Sequence, residues 1–364
     1  MRLLYRPPDG LSPPELAAAI RRAGVAGAGG AGFPAYAKWE RIDEVDTLLV
    51  NHQESEPNFL KDRTLGRDHA TELATLFDWL LKGPLSTIVI GTKEAYRGVW
   101  LGALEEHTAA SVFAPDELPI DPAEEADVLI ATTPDRYEFG MESVLLREIA
   151  DVTVGRDLPM DYGWLVQNTE SMWNVYRAVA EDRPVTQKLV HVDGNTPRHR
   201  LLEVPIGTPG TDLLAAAGRP AGISDTEIIA DGGPGWSFEI EEGPERFGVR
   251  KRTNGLLVLD RELAEANTVG NGRINILGPQ AWKSRAFETE PESLLPETVH
   301  VPLVANDRID VIEPSQPIVG PGERVTVGER IADPGPTGIG NPQHASITGK
   351  VVEVTGRHVT IERR

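Results

Sequence analysis

The chain has 364 residues, a formal net charge of −20 and no cysteine. Such acidity argues against nucleic acid and anionic membrane surfaces as partners, because both need a basic face. The missing thiols exclude disulfides, zinc–thiolate sites and cysteine-ligated iron–sulfur clusters within these residues. Two or three domains are expected at this length.

Ser12 to Arg22 carries a helix start: Ser at the N-cap, then prolines and Glu15, then an Ala-rich run. It ends at Gly24 and opens into G-V-A-G-A-G-G-A-G-F-P. Between Gly24 and Gly32 every residue is Gly, Ala or Val. Backbone N–H groups there can approach another molecule closely, and φ > 0 is cheap. A phosphate-binding loop needs both properties, a tight turn only the second. The spacing matches neither G-x-x-x-x-G-K-S/T nor the dinucleotide pattern, which wants a strand before the loop. Thr47 to Val50 reads as a buried strand that delivers Asn51, Gln53, Glu54 and Glu56 to a site at its carboxyl end. Arg67 to Lys82 reads as a helix, Ser86 to Ile90 as a strand, Glu94 to His107 as a helix and Asp127 to Ala131 as a strand. With helices over Ser143 to Ile149 and Met172 to Ala180, this alternation indicates α/β layering on a largely parallel sheet.

The character changes near Arg183 and Pro184. Lys188 to Val192 and Leu201 to Pro205 read as a hairpin, followed by a helix from Asp212 to Ala217, which is a β-grasp beginning. Asp260 to Thr298 is acidic and Pro-broken and reads as a linker. Val299 to Arg364 consists of short strands between turns, among them Arg324 to Gly328, Arg330 to Ala332 and Ala345 to Gly349. No apolar run approaches the roughly 20 residues of a membrane span. The N-terminus is too short and Pro-broken for a signal peptide, so a cytoplasmic protein is expected. The 8 histidines show no metal-ligand spacing, so no metal site is expected.

G-A-G-G-A-G-F-P-A-Y-A-K-W followed by N-H-Q-E-S-E-P-N-F-L-K-D-R resembles the flavin-binding core of a superfamily. Its members include the complex I 51-kDa subunit, the RnfC subunit of the Rnf complex and the cobalamin reductase of propanediol utilisation. Where those relatives have Tyr-x-x-Gly-Glu-Glu and Asn-Asn-x-Glu-Thr, this chain has Tyr137, Gly140 and Glu142, then Gln167 and Asn168. Met141 replaces the first glutamate and Gln167 the first asparagine. Gly232-Gly233-Pro234 and Lys251-x-x-x-Gly255-Leu256-x-Val258 resemble the Rnf and cobalamin-reductase branches. The terminal G-E-R-V-T-V-G-E-R-I-A and H-A-S-I-T-G-K-V runs look like a barrel-sandwich hybrid placed as in cobalamin reductase. The candidate hairpin tip, Asp333 to Gln343, has no lysine, which argues against a biotinyl or lipoyl carrier role.

The resemblance implies an α/β flavin-binding domain (1–185), a β-grasp module of the SLBB type (186–259), a linker in place of a ferredoxin-like segment (260–298) and an all-β barrel-sandwich hybrid (299–364). It implies FMN held by Gly27, Gly29, Gly30, Lys38, Asn51, Gln53, Glu54, Tyr137, Gly140, Glu142, Gln167 and Asn168. Phe33 and Glu56 are the implied NADH contacts, with core packing the alternative for Phe33. The relatives' second adenine-stacking aromatic falls near Arg41, where this chain has none. The implied reaction passes electrons from NAD(P)H through FMN to a redox partner protein or a corrinoid, without an iron–sulfur cluster. The setting is a larger complex or a homo-oligomer. Two other classes stay open: a non-catalytic flavin-binding or scaffold subunit, and a corrinoid- or ligand-binding protein.

Overall fold

The computed structural model describes residues 12–125, 127–279, 282, 290–336 and 338–363. The signal-peptide reading of residues 1–8 lies outside the described residues, as do residues 280–281 and 283–289 of the expected linker and residue 337 of the hairpin tip. The chain divides into two units. One is made of Met1–Val25, Ala35–Ser55 and Lys61–Arg183, the other of Ala26–Pro34, Glu56–Leu60 and Pro184–Arg364. The stretch 24–63, read as one piece of a first domain, is therefore divided, with its glycine loop and residues 56–60 packing with the second unit.

The first unit runs α1 (Pro13–Ala23), α2 (Tyr36–Trp39), β1 (Thr47–Asn51), α3 (Lys61–Asp68), α4 (Ala70–Leu81), β2 (Thr87–Lys93), α5 (Gly102–Thr108), β3 (Ser111–Phe113), β4 (Val128–Thr133), α6 (Glu142–Ala150), β5 (Trp164–Asn168) and α7 (Thr169–Ala180). The strands pair in parallel in the order β3-β4-β2-β1-β5. Continuous apolar runs make them buried on both faces, as a parallel sheet requires. One face packs Leu49, Val89, Leu129 and Val166 against Leu145, Leu146 and Ile149 of α6. Each such fully buried side chain contributes about 1.5–3 kcal/mol. Gly24 ends α1 at φ +65°, a left-handed conformation that glycine adopts without strain.

Two helices differ from the sequence reading. The expected helix 67–82 is broken at His69 (φ −122°, ψ 26°) and its first part begins at Lys61. The expected helix 94–107 is a single 3-10 turn, Glu94–Tyr96, then a loop through Gly98 at φ +79°, and only then α5.

The second unit adds β6 (Gln187–Gly194), β7 (Arg200–Pro205), α8 (Gly210–Ala216), β8 (Glu227–Gly233), β9 (Trp236–Glu239), β10 (Gly255–Asp260), α9 (Arg261–Ala266), β11 (Thr268–Val269), β12 (Arg273–Ile274) and β13 (Glu292–Ser293). These eight strands form one sheet in the order β11-β12-β9-β8-β10-β6-β7-β13. The segment read as a linker thus carries three short strands of this sheet. Leu213 and Leu214 of α8 pack with Val190, Val192, Val204 and Val258, while Ala264 of α9 packs with Ile228, Ala230, Leu257 and Leu259.

The last strands are β14 (Thr298–Pro302), β15 (Gln316–Pro317), β16 (Arg324–Val325), β17 (Arg330–Asp333), β18 (Gln343–His344), β19 (Gly349–Val354) and β20 (His358–Glu362). They form a four-stranded sheet, β14-β20-β19-β16, and a three-stranded one, β15-β17-β18. Val299, Val301, Ile331, Val351, Val359 and Ile361 share their core, and the period-2 spacing of Val299/Val301 and of Val359/Ile361 is that of a strand with one buried face. Of the expected strand 345–349, residues 346–348 form a bend and Gly349 begins β19.

Candidate functional site

In an open α/β sheet a ligand binds beyond the carboxyl ends of the strands, where the strand order reverses. Here that place lies between β1, from which the chain moves to β2, and β5 on its other side. Asn51 and Asn168 end these two strands in register. Asn51 Nδ2 donates to Gly140 O (3.0 Å), and Asn51 Oδ1 accepts from Gln53 N (3.1 Å). A Cβ on Gly140 would lie 1.8 Å from Ser55 Oγ, so only glycine allows this approach. Asn168 caps α7: its Oδ1 accepts from Glu170 N (3.0 Å) and its Nδ2 donates to Asp62 Oδ2 (2.7 Å). The amides of both asparagines are thus engaged by the protein.

Gln53 and Gln167 behave differently. Gln53 Nε2 donates to Thr133 Oγ1 at the end of β4 (2.8 Å), but Gln53 Oε1 is buried with no partner among the described residues. Gln167 Nε2 on β5 is likewise buried and unpartnered among the described residues. Lys38 Nζ donates to Val166 O (3.3 Å), next to Gln167, and pairs with Glu142 Oε2 of α6 (3.5 Å). Tyr137 begins the 3-10 turn that ends at Gly140.

A buried ionic cluster supports this edge. Lys61 Nζ lies 3.0 Å from Asp62 Oδ1 and 3.1 Å from Glu170 Oε2, and all three side chains are at most 4% exposed. Burial alone would lower Lys61 and raise Asp62. The surrounding opposite charges outweigh it and hold Lys61 above, and Asp62 below, its ordinary range. Glu54 accepts from Asp62 N (3.0 Å) and Arg63 Nε (2.9 Å), so its carboxylate braces the entry to α3. Tyr96 OH donates to Glu54 O (3.2 Å), beneath the Arg63 guanidinium. His52 is fully buried, 2.9 Å from Thr169 Oγ1, and burial pushes its imidazole down to about 4.

In the second unit, Ala26 bridges Pro34, Gly27 N donates to Phe33 O (2.8 Å) and Gly32 N donates to Gly27 O (2.9 Å), which closes the glycine loop. Two of its carbonyls are held from below: Ala28 O by Lys188 Nζ (3.4 Å) and Ala31 O by Asn306 Nδ2 (2.8 Å). Lys188 also donates to Asn254 Oδ1 (2.8 Å). Gly32, at φ +65°, leaves 3.0 Å between a Cβ and Asn306 Cβ. The N–H groups of Gly29, Gly30 and Ala31 have no partner among the described residues, as an anion-receiving loop requires. Phe33 is half-buried. Glu56 Oε2 accepts from Gly235 N (2.8 Å).

The first unit therefore brings together Lys38, Asn51, Gln53, Glu54, Tyr137, Gly140, Glu142, Gln167 and Asn168. Gly27, Gly29, Gly30, Phe33 and Glu56 belong to the second. The sequence reading missed Lys61, Asp62, Thr133 and Lys188. The first two stand in the quoted K-D-R run, which signals only a charged loop. Thr133 and Lys188 lie far along the chain from the groups they hold. A buried polar atom left without a partner costs about 1–3 kcal/mol. Gln53 Oε1 and Gln167 Nε2 are therefore candidate contacts for polar ligand atoms. The hydroxyls and ring amide edge of a flavin mononucleotide fit an acceptor and a donor of this kind.

Residues 20–177 match the family described as the Nuo51 FMN-binding domain, and residues 283–364 match the RnfC barrel sandwich hybrid domain. Cobalamin reductase PduS of Citrobacter freundii is 33% identical over 252 residues, which are 67% of this chain and 50% of the relative. The C subunit of the ion-translocating oxidoreductase complex of Pseudomonas aeruginosa is 33% identical over 235 residues, 64% of this chain and 28% of the relative. The chain spans about half the length of the cobalamin reductases it matches. A chain of the crystal structure of NAD+-reducing NiFe-hydrogenase in the H2-reduced state shares the fold, with a TM-score of 0.54 at 24% identity over 69% of this chain and 47% of that one.

Proposed function

Because the chain belongs to the superfamily of the complex I 51-kDa subunit, the RnfC subunit and cobalamin reductase, we propose that it is an FMN-dependent electron-transfer oxidoreductase acting between NAD(P)H and a partner protein or a corrinoid. The observation that carries this reading is the pair of buried amide atoms, Gln53 Oε1 and Gln167 Nε2, with no partner among the described residues, beside the switch point of a parallel sheet.

Bound FMN would supply the chemistry of accepting a hydride and releasing its two electrons singly. The residues of this chain would bind and orient it. Gln53, Gln167 and the Tyr137–Gly140 turn offer polar contacts to the ribityl chain and ring edge. Lys38 offers positive charge, moderated by Glu142. Asn51 and Asn168 hold that turn and the start of α7 in place, and Glu54 fixes α3. In the second unit, taken by itself, Gly29 and Gly30 offer backbone donors to an anion on the loop that Gly27 closes, and Phe33 and Glu56 are the side chains we propose for a nicotinamide nucleotide. Without a cysteine, the chain cannot itself hold a cysteine-ligated cluster, so electrons would pass directly to the acceptor. The β6–β7 hairpin followed by α8 supports an SLBB-type β-grasp module for ligand or partner binding. No helix among the described residues is long and apolar enough to cross a membrane. Cytoplasmic work within a larger assembly fits that.

A second reading, a flavin-binding or scaffold subunit that does not oxidise NADH, is favoured by two side chains. The Glu56 carboxylate is already held by Gly235 N, and Arg41 is tied to Glu44 (2.6 Å) and Asp161 (3.4 Å). Anaerobic addition of NADH and NADPH to the FMN-loaded chain separates the two. Bleaching of the flavin's visible band by either nucleotide is the expected result. A band that only dithionite bleaches would replace the first reading by the second.

A further inference from the structure

The hydroxyl of Thr133 has three polar neighbours: Thr92 O and Pro134 O, each at 3.3 Å, and Gln53 Nε2 at 2.8 Å. The two carbonyls can only accept, so the single hydroxyl hydrogen goes to one of them. Towards Gln53 the hydroxyl oxygen must then accept, and the amide must donate. This fixes the Gln53 side chain with Nε2 on Thr133 and Oε1 turned away. Gln53 N is anchored as well, on Asn51 Oδ1 (3.1 Å). The residue is 5% exposed, and its Oε1, also buried, has no partner among the described residues.

We propose that Thr133 locks Gln53 as a neutral hydrogen-bond acceptor for a donor hydrogen of bound FMN, with Gln53 the contact and Thr133 the positioning residue. This rests on the FMN reading above. FMN offers two kinds of donor, the ribityl hydroxyls and the ring N3–H, and an amide oxygen suits either. Being uncharged, it adds no repulsion to the electron density that the ring gains on reduction. A carboxylate at the same place would.

The test is FMN affinity of the purified chain, read by quenching of flavin fluorescence, with circular dichroism confirming the fold of each variant. Gln53→Leu and Thr133→Val are each expected to weaken binding about tenfold, the effect of one lost hydrogen bond. Thr133→Ser, which keeps the hydroxyl, is expected within about twofold of wild type. Because Thr133 acts through Gln53, the double variant should bind no more weakly than Gln53→Leu alone. Gln53→Glu should lower the flavin midpoint potential, a shift that a purely structural role would not produce. Loss of sensitivity to Gln53→Leu with 3-methyl-FMN assigns the donor to the ring, and unchanged sensitivity assigns it to the ribityl chain. Wild-type binding matched by Gln53→Leu, or additive losses in the double variant, would overturn the lock. A wild-type chain that takes up no FMN would overturn the functional reading and the lock together.

Discussion

Lys61→Met is expected to lower folding stability by about 3–5 kcal/mol at neutral pH, the effect of removing one partner from a buried ion pair. Lys61 is the cation nearest to two buried carboxylates, Asp62 and Glu170. Without it both buried carboxylates lose the ammonium that lies 3.0 and 3.1 Å away, with little water to take its place. Asp62 also holds Asn168, and Asn168 caps α7, so the damage should reach the amino end of that helix. The pH dependence has a definite sign. In the variant Asp62 loses the nearby cation that holds its carboxyl low, so burial raises its folded-state pKa above the unfolded one. Stability from such groups is present at low pH and lost as pH rises. The deficit relative to wild type should therefore shrink between pH 8 and 5. Urea unfolding at both pH values measures it. A deficit below about 1 kcal/mol, that of an exposed pair, would show that the cluster is solvated.

His52 gives the second large effect. Burial pushes its imidazole from the ordinary 6.5 down to about 4. Between those values the unfolded chain binds a proton and the folded chain does not. Stability must then fall as pH drops from 6.5 towards 4, by an amount on the order of 3 kcal/mol for a shift of this size. The charged groups that face the ring are Asp62, Arg63 and Lys61. His52→Gln keeps polar atoms at the site and cannot titrate. The stability difference between wild type and this variant, followed by urea unfolding between pH 7 and 4, should narrow by that amount. A difference independent of pH would mean that the imidazole titrates normally.

The same two residues show where the sequence was legible and where it was not. The strands could be read because Thr47–Val50, Ser86–Ile90 and Asp127–Ala131 are short apolar runs, and buried parallel strands have no other pattern to offer. The start of α3 could not. Its first turn buries Lys61, Asp62 and Thr64, and periodicity arguments place charged residues outside. Gly66 inside α3 looks like a breaker, yet it is required there. A Cβ on it would lie 2.6 Å from His52 Cε1. Gly98, at φ +79°, went unread: it lies in the loop that interrupts the stretch Glu94 to His107 read as one helix.

At the site, the resemblance singled out Asn51, Gln53, Gln167 and Asn168 together. It did not show that the asparagine amides are used by the protein while the glutamines keep atoms with no partner among the described residues. That division depends on Thr133, Gly140 and Asp62, which only the folded sheet brings alongside. The glycine loop was legible as a loop. Its anchors Lys188, Asn254 and Asn306 sit more than 150 residues away, with no local signal to link them.

Titration of the purified full chain with FMN, followed by quenching of flavin fluorescence and by the visible spectrum, asks most directly whether this is an FMN protein. One FMN per chain is expected, with binding strongly weakened in Asn51→Leu and Asn168→Leu. A correctly folded chain that takes up no FMN would contradict it, and FMN uptake left unchanged in both variants would contradict the placement of the site.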